Sequence, residues 1–200
     1  FKFPTAIAIG TDLLYASITK SAGVISHSRL GNIEWRIVRN LMLGSIPASF
    51  LMTYYLKGID LYAYENVKII NFSLGLALIL TSIAVIFQPL ISKKTGVQKT
   101  RALKNTTILT ILLGLSLGVL VTLTSVGAGA MGVTALLLLY PKMSIKKIVG
   151  TDIAHAVPLT LFAGLGHWNL GTVNTYLLLS LLIGSIPGIW LGSNLSSKID

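Results

Sequence analysis

Two hundred residues would suffice for one soluble domain, but 53% of them are apolar and only 11% charged, less than half the ~25% usual in soluble proteins. So few charges cannot cover a water-facing surface, the apolar content excludes disorder, and zero cysteines exclude a disulfide framework, thiolate metal sites and cysteine nucleophiles. The net charge of +10 lies mainly in short runs between apolar stretches, which marks membrane topology rather than nucleic-acid binding, so the expected partner is the lipid bilayer and not nucleic acid.

Six apolar segments follow in order. They are Pro4–Ser26, Asn40–Leu56 and Lys68–Leu90, then, after a basic polar stretch Ser92–Asn105, Thr107–Tyr140, Ile148–His167 and Val173–Leu195. Most approach the ~20 residues that carry a helix across a bilayer. Trp35, Tyr54, Tyr55, Tyr62, Tyr64, Tyr140, Trp168 and Tyr176 lie near segment ends, as interfacial anchors do. The fourth segment is too long for one crossing and is interrupted by Gly127-Ala128-Gly129-Ala130-Met131-Gly132. Glycines at that density weaken a helix. A broken helix or re-entrant hairpin is expected, its backbone sheltered by protein or a wet cavity. Gly114-x3-Gly118 and Gly184-x3-Gly188-x3-Gly192 read as small-residue helix packing.

The chain repeats itself at an offset of 140. Gly10-Thr11-Asp12 recurs as Gly150-Thr151-Asp152, and Gly44-Ser45-Ile46-Pro47 as Gly184-Ser185-Ile186-Pro187. Between them Ala16, His27, Leu30-Gly31 and Leu41 match Ala156, His167, Leu170-Gly171 and Leu181 without a gap. Internal duplication of this kind is characteristic of transporters. It divides the chain into a first half, 1–91, a basic loop, 92–106, and a second half, 107–200. By the same logic 107–140 calls for a counterpart before residue 1, and 68–90 for one beyond residue 200. The sequence is therefore read as lacking about one apolar segment at each end, the chain starting at Phe1 with no signal-peptide pattern.

Orientation follows from the basic residues. If the fourth segment crosses once, Lys and Arg divide almost evenly between the two sides. If it re-enters and returns, twelve fall on one side and three on the other. The positive-inside rule prefers the second arrangement, which inverts the two halves and makes 92–105 cytoplasmic.

Charged groups inside spans are costly and usually functional. Asp12 and Asp152 head equivalent segments, where each also fits a helix N-cap. Lys20 lies two turns after Asp12, placed to pair with it or with a substrate anion, and His155 follows Asp152 by three residues on the same face. His27 and His167 close the equivalent segments as gating or interfacial residues. The glycine run suits an oxyanion, because small residues let backbone N–H groups approach and a half-helix start carries positive charge. The candidate substrate site is therefore Gly127, Gly129, Gly132, Thr11, Thr151 and Lys20. Asp12, Asp152 and His155 are the candidate proton carriers. No compact metal-ligand set and no nucleophile with an assigned base stand out, so neither metal nor cofactor is expected, and the chain is read as a transporter rather than an enzyme. The alternatives are a membrane-embedded enzyme using Asp152 and His155, a passive anion channel, and a structural subunit.

In order and duplication these motifs resemble the TauE/SafE family of sulfite and organosulfur-anion exporters. Ser125–Gly132 is similar to its glycine-rich segment, Ile148–Asp152 to its Gly-Thr-Ser stretch, and His27 with Gly31-Asn32-Ile33-Glu34-Trp35 to its His and Gly-x-[VI]-[DE]-Trp motif; His167 with Gly171-Thr172-Val173 is a weaker copy. Departures are Asp12 and Asp152, where the family usually has Ser, the alanines in the glycine run, and Lys20, which maps to no family position. The resemblance implies an all-α polytopic protein of the bacterial inner membrane, two homologous halves with a Gly-broken helix, exporting or importing a small anion such as sulfite or a sulfonate by alternating access. The oligomeric state is left open.

Overall fold

The computed structural model describes residues 3–95 and 105–196, with side chains at 3–89 and 105–189. Among these residues there are seven α-helices and no strand: α1 Thr5–Arg29, α2 Trp35–Lys57, α3 Tyr64–Thr95, α4 Thr106–Thr124, α5 Ala130–Leu139, α6 Ile145–Asn169 and α7 Thr175–Ser196. Most of the basic loop lies outside the described residues, but α3 runs four residues into it. Helices extend beyond the apolar segments wherever charged side chains can stay helical at the ends. Arg36 and Arg39, for example, sit in the first turns of α2.

Tyr64–Pro89 of α3, α4 and α6 are long and apolar enough to cross a bilayer by length and composition. α1 and α2 are comparably long but more polar. α5, at 10 residues, rises only about 15 Å and cannot span a ~30 Å hydrocarbon core.

Two helix pairs organise the core, α2 against α4 and α1 against α6. The first is set by glycine. A Cβ on Gly114 would strike the Leu41 carbonyl, one on Gly118 the Ser45 carbonyl, and one on Gly44 the Ile111 carbonyl. Removing Cβ lets the two backbones touch. Gly184 and Gly188 of α7 have no neighbour within reach, so the packing expected of that stripe is absent among the described residues.

The second pair is antiparallel, and its contacts repeat at the 140-residue offset. At the crossing, the Ser17 hydroxyl donates to the Val157 carbonyl (3.3 Å). At one end Gly10 backs onto Thr172 and His167, and at the other Gly150 backs onto Asn32 and His27. The Asn174 amide donates to Thr11 Oγ1 and the Glu34 amide to Thr151 Oγ1, each at 3.0 Å. Each helix thus grips the loop that follows the other.

Of the aromatic anchors, Trp35, Tyr54, Tyr55, Tyr62, Tyr64, Trp168 and Tyr176 are exposed. Tyr140 is half-buried and its hydroxyl bonds Thr110 Oγ1 at 2.6 Å.

Candidate functional site

The polar interior gathers near the middle of the α1–α6 pair. Lys20 lies three residues past Ser17, about 5 Å along α1, while Asp152 and His155 precede Val157 by five and two residues on α6. The end of α4 and the start of α5 complete the group. Between them Ser125 adopts φ 59°, Gly127 φ 121° and Gly129 φ 125°. The two glycine angles are strained for any residue with a Cβ, so the chain turns there and restarts as α5.

The start of α5 carries no side-chain cap. Val133 N donates to Gly129 O (2.8 Å) and Gly132 N to Gly127 O (3.2 Å). The amides of Gly129, Ala130 and Met131 precede the helical ladder, where backbone donors stay available and partial positive charge accumulates. Lys20 reaches the same place, its Nζ donating to the Ala128 carbonyl at 3.2 Å. Asp152 faces both. A Cβ on Gly132 would collide with its Oδ1, so its carboxylate rests against the first turn of α5. The Lys20 charge acts on it, and the Gly129 amide approaches it as a backbone donor. Asp152 is 1% exposed, and neither of its oxygens has a partner at full hydrogen-bonding distance and angle. His155, fully buried, bonds Ser45 Oγ through Nε2 (2.9 Å) and leaves Nδ1 unpartnered. Buried polar atoms without partners are uncommon and concentrate at functional sites.

Several expectations change. Lys20 does not pair with Asp12, because eight residues of helix separate them by about 12 Å. Asp12 is exposed and accepts from Ser125 Oγ at 2.6 Å. Neither aspartate serves as an N-cap, since α1 begins at Thr5 and α6 at Ile145, capped by Ser144. The hydroxyls of Thr11 and Thr151 are buried and committed to loop amides, so they hold the two loops rather than face the cluster. Gly132 contributes space instead of an amide, its N–H being bonded to Gly127. His167 is buried, with Nδ1 to Thr172 Oγ1 (2.8 Å) and Nε2 to Thr122 O (2.9 Å). Its equivalent His27 is half-buried with Nδ1 unpartnered. Asp152 and His155 do not hydrogen-bond each other: the ring's Nε2 is taken by Ser45 Oγ and its Nδ1 is unpartnered. Among the described residues no group of three His, Asp or Glu is placed to hold a metal ion.

Ser45, Ser125 and the Ala128 carbonyl were not among the expected site residues, although Ser45 lies in the repeated tetrapeptide and Ser125 and Ala128 in the glycine-rich segment. A groove of about 680 Å³ between α1, α2 and α6 is lined by Arg39 and apolar side chains including Trp35, Met42 and Pro158. It contains none of the clustered polar groups.

A cation, a half-helix start and unsatisfied polar atoms near the middle of crossed helices can hold an anion and exchange a proton. The sulfite exporter TauE/SafE family model matches residues 1–200. The chain is 40% identical to "Probable membrane transporter protein YjnA" of Bacillus subtilis (strain 168), over 98% of this chain and 77% of the relative. It is 27% identical to "Probable membrane transporter protein YdhB" of the same strain, over 100% of this chain and 79% of the relative. No solved structure matches significantly.

Proposed function

Because the chain belongs to the sulfite exporter TauE/SafE family, and so is an integral membrane transporter, we propose that it carries a small anion by alternating access between two inverted halves, sulfite or an organosulfonate being the first substrate class. The anion lies between the Lys20 ammonium and the amides of Gly129, Ala130 and Met131, with His155 Nδ1 as a further polar contact. Charge-assisted bonds from an ammonium and helix-start amides are suited to an oxyanion. The observation that carries this reading is the bond from Lys20 to Ala128, which brings a half-buried cation to the start of a half-helix.

Inversion is supported by the antiparallel crossing of α1 and α6 and by their paired contacts, since helices related in this way run oppositely through a bilayer. A return by the short α5 agrees with the twelve-to-three distribution of basic residues, which favours a cytoplasmic loop 92–105 in a multi-pass inner-membrane protein. The halves 1–91 and 107–200 would then rock about the α1–α6 crossing and open the site to one side at a time.

Radiolabelled sulfite uptake by vesicles containing the full chain tests this. Saturable flux that falls at least tenfold in Lys20→Met is expected, from the ~1.5–3 kcal/mol of a bond to a charged group. Flux that never saturates indicates a channel. Flux unchanged by Lys20→Met removes the site.

A further inference from the structure

The best place for an anion is already taken by a side chain. The Asp152 carboxylate lies where Lys20, the Gly129 amide at the start of α5 and the notch of Gly132 meet. Gly132 matters because any Cβ would drive the carboxylate out of the notch, so backbone shape and side chain fit one another. A neutral residue at 152 would leave the same positive field open to an incoming anion.

Two negative charges cannot share this spot. In a water-poor interior, like charges at contact distance repel strongly, and neither is screened by salt. One of the two must lose its charge or leave. The ionisable groups to consider are few. Lys20 comes from α1, and His155 lies one turn along α6, tied to Ser45 of α2. α5 presents only an amide and a glycine. Lys20 cannot relieve the conflict, because losing its proton would remove the attraction itself.

We propose that Asp152 is a resident carboxylate in the anion seat, and that an anion enters only when Asp152 takes up a proton, so that proton and anion travel together in the same direction. The step balances. Water-borne H⁺ adds to one Asp152 oxygen, the anion replaces the lost negative charge beside Lys20, and on the far side anion and proton leave. For a monoanion the pair carries no net charge. Asp12 has no part in this, being exposed and bonded by Ser125.

The inference rests on the anion reading above, and one experiment separates their failures. Methanesulfonate, an anion that does not itself titrate near neutrality, is added to the purified full chain in weakly buffered detergent. Binding is followed by heat and proton uptake by a pH-indicator dye. At pH values where Asp152 is ionised in the free protein, wild type should take up about one proton per anion bound and its apparent Kd should rise about tenfold per pH unit, as linkage to one proton requires. Asp152→Asn should bind at neutral pH at least as tightly as wild type, take up no proton and show a flat pH profile. Asp152→Ser, smaller and also neutral, should behave likewise and guards against a folding defect of one variant. Binding by wild type without proton uptake overturns the inference and leaves the anion site standing. So does undiminished proton uptake in both variants. No binding of methanesulfonate or sulfite by any of the three overturns both.

Discussion

α1 and α6 carry the same Gly-Thr-Asp in their second turn, and comparing them separates what shapes the fold from what does chemistry. The glycine and threonine of each copy do the same work: Gly10 and Gly150 admit the opposite loop, and Thr11 and Thr151 each accept one of its amides at 3.0 Å. The aspartates part company. Asp12 is exposed and held by Ser125, whereas Asp152 is buried against the start of α5. The histidines differ as well, His167 being bonded at both ring nitrogens and His27 not. The interlocking contacts are the same at the two ends of the crossing, and the surroundings of the ionisable side chains are not.

The largest expected effect breaks that asymmetry at its cation. Position 160, equivalent to Lys20, is a threonine whose hydroxyl bonds its own helix at Ala156 O. Lys20→Thr makes the two copies alike and should cut sulfite flux ten- to a hundredfold, the worth of a charge-assisted bond. Vesicle flux at saturating substrate reads it out.

Next come the histidines. His167→Ala removes two buried bonds and should cost about 2–3 kcal/mol, seen as a clear fall in the unfolding temperature of the purified protein. His27→Ala should cost less than about 1 kcal/mol. Equal losses would mean that the two sites do the same structural job after all.

The interlock itself predicts symmetry. Gly10→Ala and Gly150→Ala each press a methyl group into a backbone carbonyl and should each cost about 1–3 kcal/mol, alike to within a fraction of that range. A large loss in one and none in the other would separate the two ends of the crossing. Smallest of all is Asp12→Asn. At an exposed position it should cost under about 1 kcal/mol and leave flux within about threefold, measured in the same vesicles.

The fold was legible because the strongest signals were local. Hydropathy located the helices to within a few residues, apart from polar ends such as Trp35–Arg39 that no apolar window includes. The glycine run fell where the chain leaves α4 and restarts as α5, since positive φ is a property of the residue itself. The site was legible only in part. Lys20, Asp152 and His155 stand out as charges in apolar surroundings, but which of them meet depends on contacts 108 and 110 residues apart, Lys20 with Ala128 and Ser45 with His155. Thr11 and Thr151 misled for the opposite reason. Repetition marked them as important, and it could not tell a hydroxyl that holds a loop from one that meets a substrate.

The absence of cysteine makes the central claim directly testable, because one introduced thiol reports alone. Ala130→Cys, at the first residue of α5, should react with a membrane-impermeant, sulfonate-bearing thiol reagent, and sulfite should slow that reaction in proportion to its occupancy of the site. A thiol that reacts at the same rate whether sulfite is present or absent, or that the reagent never reaches from either side, would contradict an anion seat at the start of α5.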